Sequence, residues 1–245
     1  MSCLRLARRC LPVATLVVLL SSCSRPTEEQ VTELAGCGAV RVTGKIALAI
    51  EQQSVNRLHL NVPTAAKNQL SIEEKDLGLA IHSSADLPIT GKLYCQQLTA
   101  LHLAGQSEVA VSAQLSSLSD VRLYGHSALS VRKIFVEESS LRASASASLN
   151  VGMLDVDKLV VAASGESQLL LAGVAAQLGM EAIGKTQVDA GQLIVQHLKL
   201  HCLGDAKVVV APSAHLTGNA LGDCSVANLG SGDVSLLLED QAILN

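Results

Sequence analysis

Paired carboxylates, histidines four residues apart and a Gly-Ser-Gly-Asp phrase are the features of this chain that could carry chemistry, and each would need a particular local geometry. Asp155 with Asp157, or Glu137 with Glu138, could act as general acid and base on a glycosidic bond if a basic residue and an aromatic sugar platform stood beside them. Asp155 and Asp157 alternate with Leu154 and Val156, however, as solvent-facing residues do on a half-buried strand. His197 and His201 would converge on a metal only along a helix; on a strand four residues span about 13 Å. Gly230, Ser231, Gly232 and Asp233 carry part of a calcium-binding nonapeptide, without its tandem copies. No nucleophile elbow, phosphate loop or dinucleotide fingerprint occurs in a strand-to-helix context. A non-enzymatic protein with neither metal nor cofactor is expected.

Thiol chemistry offers more. At the N-terminus Arg5, Arg8 and Arg9 precede an apolar run from Leu11 to Leu20, shorter than the roughly 20 residues that span a bilayer and typical of a secretory signal. Leu20, Ser21, Ser22 and Cys23 follow, and this tetrad looks like the lipobox of bacterial lipoprotein precursors. That resemblance implies cleavage before Cys23, a diacylglyceryl group on its sulfur and acylation of the new amino terminus, a stable anchor where one chain alone would be marginal. Ser24, in place of the Asp that retains such proteins at the inner membrane, points to an outer-membrane lipoprotein facing the periplasm or the exterior. Beyond the expected cleavage point four further cysteines remain, Cys37, Cys95, Cys202 and Cys224, which would lie in an oxidising compartment, where three pairings are open. Cys202, alternating with Leu200, equally suits a buried thiol serving as a small apolar residue. No Cys-x-x-Cys spacing suggests zinc.

The elements that must position these residues are legible in a repeat. LHLAGQSEVAV at 101–111, VRLYGHSALSV at 121–131, LRASASASLNV at 141–151 and VAASGESQLLL at 161–171 recur at an offset of 20 residues, the mark of a solenoid. Weaker copies follow at 180–190 and 200–210, and 81–91 keeps the apolar positions. Within each unit apolar residues alternate and are interrupted by a small-residue bend: Gly105 and Ser107, Gly125 and Ser127, Gly165 and Ser167, Gly184, Gly204, and at the end Gly230 and Gly232. Two short strands joined by a bend, with a third apolar patch such as Leu154 and Val156, describe one turn of an all-β, single-domain parallel β-helix. Stacked about 4.8 Å apart, the turns between residues 81 and 236 would form a rod on the order of 35 Å long. A leucine-rich repeat shares the opening Leu98-x-x-Leu101-x-Leu103 but wants Asn or Cys where Gln106, His126, Ser146 and Glu166 stand. Near the end the register is ambiguous, and an inserted loop around Pro212–Gly218 would reconcile Gly222 with the Gly230 phrase.

Composition agrees with such a rod. The chain of 245 residues is 49% hydrophobic, yet has no Trp, one Phe (Phe135) and two Tyr (Tyr94 and Tyr124), so its core must be aliphatic. A net charge of −4, no basic stripe and few stacking platforms make nucleic acid an unexpected partner. The expected organisation is a signal peptide at 1–22, a lipidated polar tether at 23–35 and the β-helix at 36–245.

The phrase Gly230-Ser-Gly-Asp-Val, with relatives at Gly105-Gln-Ser-Glu-Val and Gly165-Glu-Ser-Gln-Leu, resembles the bends of the putative auto-transporter adhesin head domain, or head GIN domain. An extended pair near Arg57–Val62 and Gln69–Glu74, then Leu98-Thr-Ala-Leu-His-Leu, are similar to that family's opening. The resemblance covers the chain from about Gly36 and implies a right-handed β-helix with an adhesive envelope role and no catalytic residues. The family's aromatic ending is missing, and most bends lack the second Gly. A protein or glycan ligand and weak homo-oligomerisation through uncapped ends are expected; a purely structural envelope protein and a carbohydrate-active enzyme are the alternatives.

Overall fold

A computed structural model describes residues 26–245. The segment expected to be a signal peptide, the expected lipidation residue Cys23 and Ser24 lie outside the described residues. Alternating apolar residues become strand almost throughout, and 18 strands with one short 3-10 helix join a single continuous sheet wound upon itself. The result is a β-solenoid of about 7 turns with roughly 20-residue spacing, as the repeat requires.

From Ala100 onward the turns stack in chain order, with parallel strands in register. Leu129 lies beside Leu149, Leu149 beside Leu169, and the column runs on through Val188, Val208 and Val226. All of these side chains are buried, each stabilising the rod by roughly 1.5–3 kcal/mol relative to exposure. Branched aliphatic residues suit such columns because like stacks on like at the strand spacing. The register offset shrinks towards the C-terminus, from 20 residues between Leu129 and Leu149 to 18 between Leu216 and Val234. This shortening, with register shifts flanking Ile194 and Val195, corrects the expected loop at Pro212–Gly218: Lys207–Leu221 is one strand. The last turns reconcile their bends by losing residues from each turn.

The N-terminal third departs from chain order. Strands Ala39–Gly44 and Ile46–Gln52 form a turn that lies between the later turn Gly78–Cys95 and the turn that starts at Ala100. Outside it, Leu70–Lys75 runs antiparallel to Gly78–Ser83, and Arg57–Pro63 antiparallel to Ile89–Cys95. Residues Thr27–Glu33, expected within the polar tether, form a further antiparallel strand on Arg57–Pro63. Backbone pairing and the Arg57–Glu33 and Lys67–Glu28 ion pairs hold there a segment whose polarity suggested free chain.

Two disulfides close the ends. Cys37 is bonded to Cys95 and Cys202 to Cys224, with Cα separations of 5.8 and 6.2 Å, within the ordinary span of the bond. The thiol reading of Cys202 is therefore replaced: the inward columns of neighbouring turns bring Cys224, at the corner after Gly222, beside it. Among the described residues nothing stacks on the C-terminal turn. Val234, Leu236 and Leu238 continue the inward columns of Leu216, Gly218 and Ala220, yet Val234 and Leu238 remain 40% exposed.

Candidate functional site

The bends set the geometry of the outer faces. Gly105, Gly125, Gly165, Gly184 and Gly204 occupy one corner of successive turns, all with φ between +75° and +87°, a left-handed conformation that costs other residues about 1–2 kcal/mol. Gly230 and Gly232 lie at a different corner and have no such φ. They are needed for space, because a Cβ on Gly230 would sit 2.0 Å from the Pro212 carbonyl oxygen. Two residues past the first corner, Ser107, Ser127 and Ser167 point inward and are buried, in a column shared with Ala147, Thr186, Ala206 and Cys224. Small side chains recur there because the corner leaves no room for larger ones.

Between the bends, outward residues form straight columns. One runs Glu138, Lys158, Gln177, His197, His215 and Asp233; Lys158 pairs with Glu138 at 3.5 Å, and the rings of His197 and His215 stack 5.3 Å apart. His201 stands in another column, hydrogen-bonded with Asn219. The structure thus separates His197 from His201, and unites His197 with a residue 18 positions on. Asp155 occupies an apolar column with Phe135, Val174 and Ile194, Asp157 and Glu137 are solvent-exposed, and neither carboxylate pair meets a basic partner as a unit. Among the described residues no cluster of three or more His, Cys, Asp or Glu side chains could hold a metal.

The column at the centre of a neighbouring face is basic. Arg41 lies beside His102, His102 beside Arg122 and Arg122 beside Arg142. This corrects the expectation of no basic stripe: the four residues are dispersed in sequence, and only the interposed turn brings Arg41 next to His102. Asp120 bridges two rungs, accepting from Arg122 Nε at 3.2 Å through Oδ1 and lying 2.8 Å from His102 Nε2 through Oδ2. Burial tends to raise the Asp120 pKa, but hydrogen bonds from His102 and Arg122 outweigh it and hold the carboxyl below its ordinary value. Asp120 is therefore a fixed anion that orders the ladder's middle. Arg41 and Arg142 have no carboxylate within ion-pair distance among the described residues. The broader depressions, of about 400, 410 and 480 Å³, are open hollows on the faces.

The family model for the putative auto-transporter adhesin, head GIN domain, matches residues 38–232. The chain belongs to this family. The head GIN match spans the turns from Ala39–Gly44 to the Gly230–Gly232 corner and leaves out Thr27–Glu33 and the last core layer. No curated protein matches the sequence. Among solved structures, a putative adhesin from Parabacteroides distasonis superposes with a TM-score of 0.83 at 19% identity, covering 90% of this chain and 97% of that one. A putative adhesin from Parabacteroides merdae gives 0.77 at 16% identity, covering 89% and 95%. A putative lipid binding protein from Parabacteroides distasonis gives 0.80 at 13% identity, covering 89% and 96%. At such identities these structures share the fold with the head GIN rod described above.

Proposed function

We propose that this head GIN protein is a lipid-anchored, non-enzymatic adhesin of the bacterial envelope, held at Cys23 and binding a macromolecular partner along its lateral faces. The observation that carries the reading is the outward columns. Rigid, in-register rungs present side chains at a fixed repeat to something long, whereas the hollows between them are open to solvent. Glycan or protein is the partner class, and a purely structural role is the alternative. The family's description, and the naming of its structural relatives as adhesins, favour adhesion. One relative is named for lipid binding, but the hollows described above are open to solvent rather than enclosed around an acyl chain. A second reading, self-assembly, draws on the exposed last core layer.

Metabolic labelling with an alkyne palmitate analogue tests the anchor: label should follow the wild-type chain into the membrane fraction and disappear with Cys23→Ala. Label retained by that variant would overturn the anchor. A glycan array combined with pull-down from envelope extracts tests the binding role. Robust glycan turnover would move the protein to the carbohydrate-active enzymes, and silence in both assays would favour a structural role.

A further inference from the structure

The basic ladder has sharp limits. In order along the rod, its column reads Glu73, Ala80, Arg41, His102, Arg122, Arg142, Ala162 and Glu181. Four consecutive basic rungs are bordered on each side by an alanine and then by a glutamate. At about 4.8 Å per rung, the basic stretch is about 14 Å long. The neighbouring outward positions on these strands are mostly small: Ala39, Ala100 and Ser140 on one side, Thr43, Ala104 and Ser144 on the other. The guanidinium groups thus stand above a shallow floor that nothing bulky screens. One large side chain interrupts it, Tyr124, 54% exposed and two residues along the strand from Arg122. It is one of three Phe, Tyr or Trp residues in the whole chain.

We infer that this ladder is a binding site for an acidic polysaccharide, whose carboxylate or sulfate groups lie along the guanidinium rungs while a sugar ring rests on Tyr124. The inference rests on the adhesin reading and names its ligand class. Arginine presents a planar fork that matches carboxylate and sulfate oxygens. A single small anion on so exposed a site would gain little; a polymer engages several rungs at once, and each further contact is intramolecular. A linear arrangement suits a linear ligand. The face lacks the successive aromatic platforms that single-stranded nucleic acids use, and the chain as a whole is acidic, with a net charge of −4. Asp120 limits affinity while fixing Arg122 and His102 in place.

The test uses the purified full-length chain in non-ionic detergent, with polygalacturonate and heparin as probes, dextran as a neutral control and detergent micelles doped with phosphatidylglycerol, compared with undoped ones, as an anionic surface. Binding to polygalacturonate or heparin should weaken as salt rises, as exposed charge contacts do. The triple variant Arg41→Ser, Arg122→Ser, Arg142→Ser should weaken it at least tenfold, and Tyr124→Ala several-fold. Asp120→Asn should strengthen it a few-fold. Removing the same number of positive charges elsewhere, with Lys158→Ser, Lys185→Ser and Lys207→Ser, should leave it unchanged, and circular dichroism should show all variants folded. Equal loss in both triple variants, equal binding to dextran, or an arginine-dependent preference for the anionic micelles with binding to neither polysaccharide would overturn the inference. If wild-type protein binds neither polysaccharide yet still captures an envelope partner, the ladder's assignment fails and the adhesin reading stands. If it captures nothing at all, both fail.

Discussion

Ala145 interrupts the run of corner glycines in the middle of the rod. It sits between Gly125 and Gly165 with φ at +62°, and a Cβ on Gly165 would lie 2.9 Å from its carbonyl oxygen. The left-handed conformation costs an alanine about 1–2 kcal/mol, and glycine gives back about 0.5–1 kcal/mol of that through its freer unfolded chain. Ala145→Gly should therefore raise stability by about 0.5–1 kcal/mol, read as a higher urea midpoint at unchanged slope; a lower midpoint would mean that the corner is not strained. At this scale the sequence was informative wherever signals recur locally. Gly105 with Ser107 marked the corners because the pair returns 20 residues on as Gly125 with Ser127 and again as Gly165 with Ser167. It was uninformative about Arg41, which meets His102 only through a turn laid down out of order. The same holds for His215, whose partner His197 is close neither in sequence nor on an obvious motif.

Among the elements, the turns carry the fold and the disulfides fasten their extremes. Cys37–Cys95 joins the segment before the interposed turn to the end of the turn outside it, across 58 residues. Cys202–Cys224 ties two successive turns across 22 residues. Loop-closure entropy gives about 4 kcal/mol for the first and about 3 kcal/mol for the second. The double variant Cys37→Ser, Cys95→Ser should therefore lower the urea midpoint more than Cys202→Ser, Cys224→Ser does. The opposite order would show that the N-terminal turns hold together without their bond. Spacing alone left three pairings open, because which cysteines meet depends on the order of turns. The polar strand Thr27–Glu33 escaped notice for a related reason: an edge strand made of Thr, Glu and Gln owes its place to backbone pairing with Arg57–Pro63, and polarity patterns do not report that.

The rod as a whole has unlike ends. Its N-terminal edge is lined by Glu28, Glu29, Glu33, Glu73 and Glu74 on antiparallel strands, the charged edge that discourages further pairing. Its C-terminal edge, Asp233–Leu238, reads DVSLLL and leaves a core layer open. Two copies meeting at that end about a two-fold axis would pair the strand antiparallel with itself and cover both layers. Sedimentation velocity should show a concentration-dependent dimer that Leu236→Glu with Leu238→Glu abolishes; a monomer at every concentration would dismiss the pairing. The overall solenoid was legible because its period is fixed, whereas the asymmetry of its ends depends on how the first and last turns terminate.

The interposed turn also sets a timetable. Residues 39–52 are synthesised before either neighbour, yet their two edges are satisfied only once residues 78–95 and 100–111 have arrived. Until then Ile46-Ala-Leu-Ala-Ile50, an apolar β-prone stretch without charge, waits with both edges bare, the condition under which strands aggregate. The first three turns must consolidate together as one slow, non-local step, after which each later turn can add to a finished template. A chain with this order of assembly is most vulnerable early, while its first third has emerged and the rest is still to come.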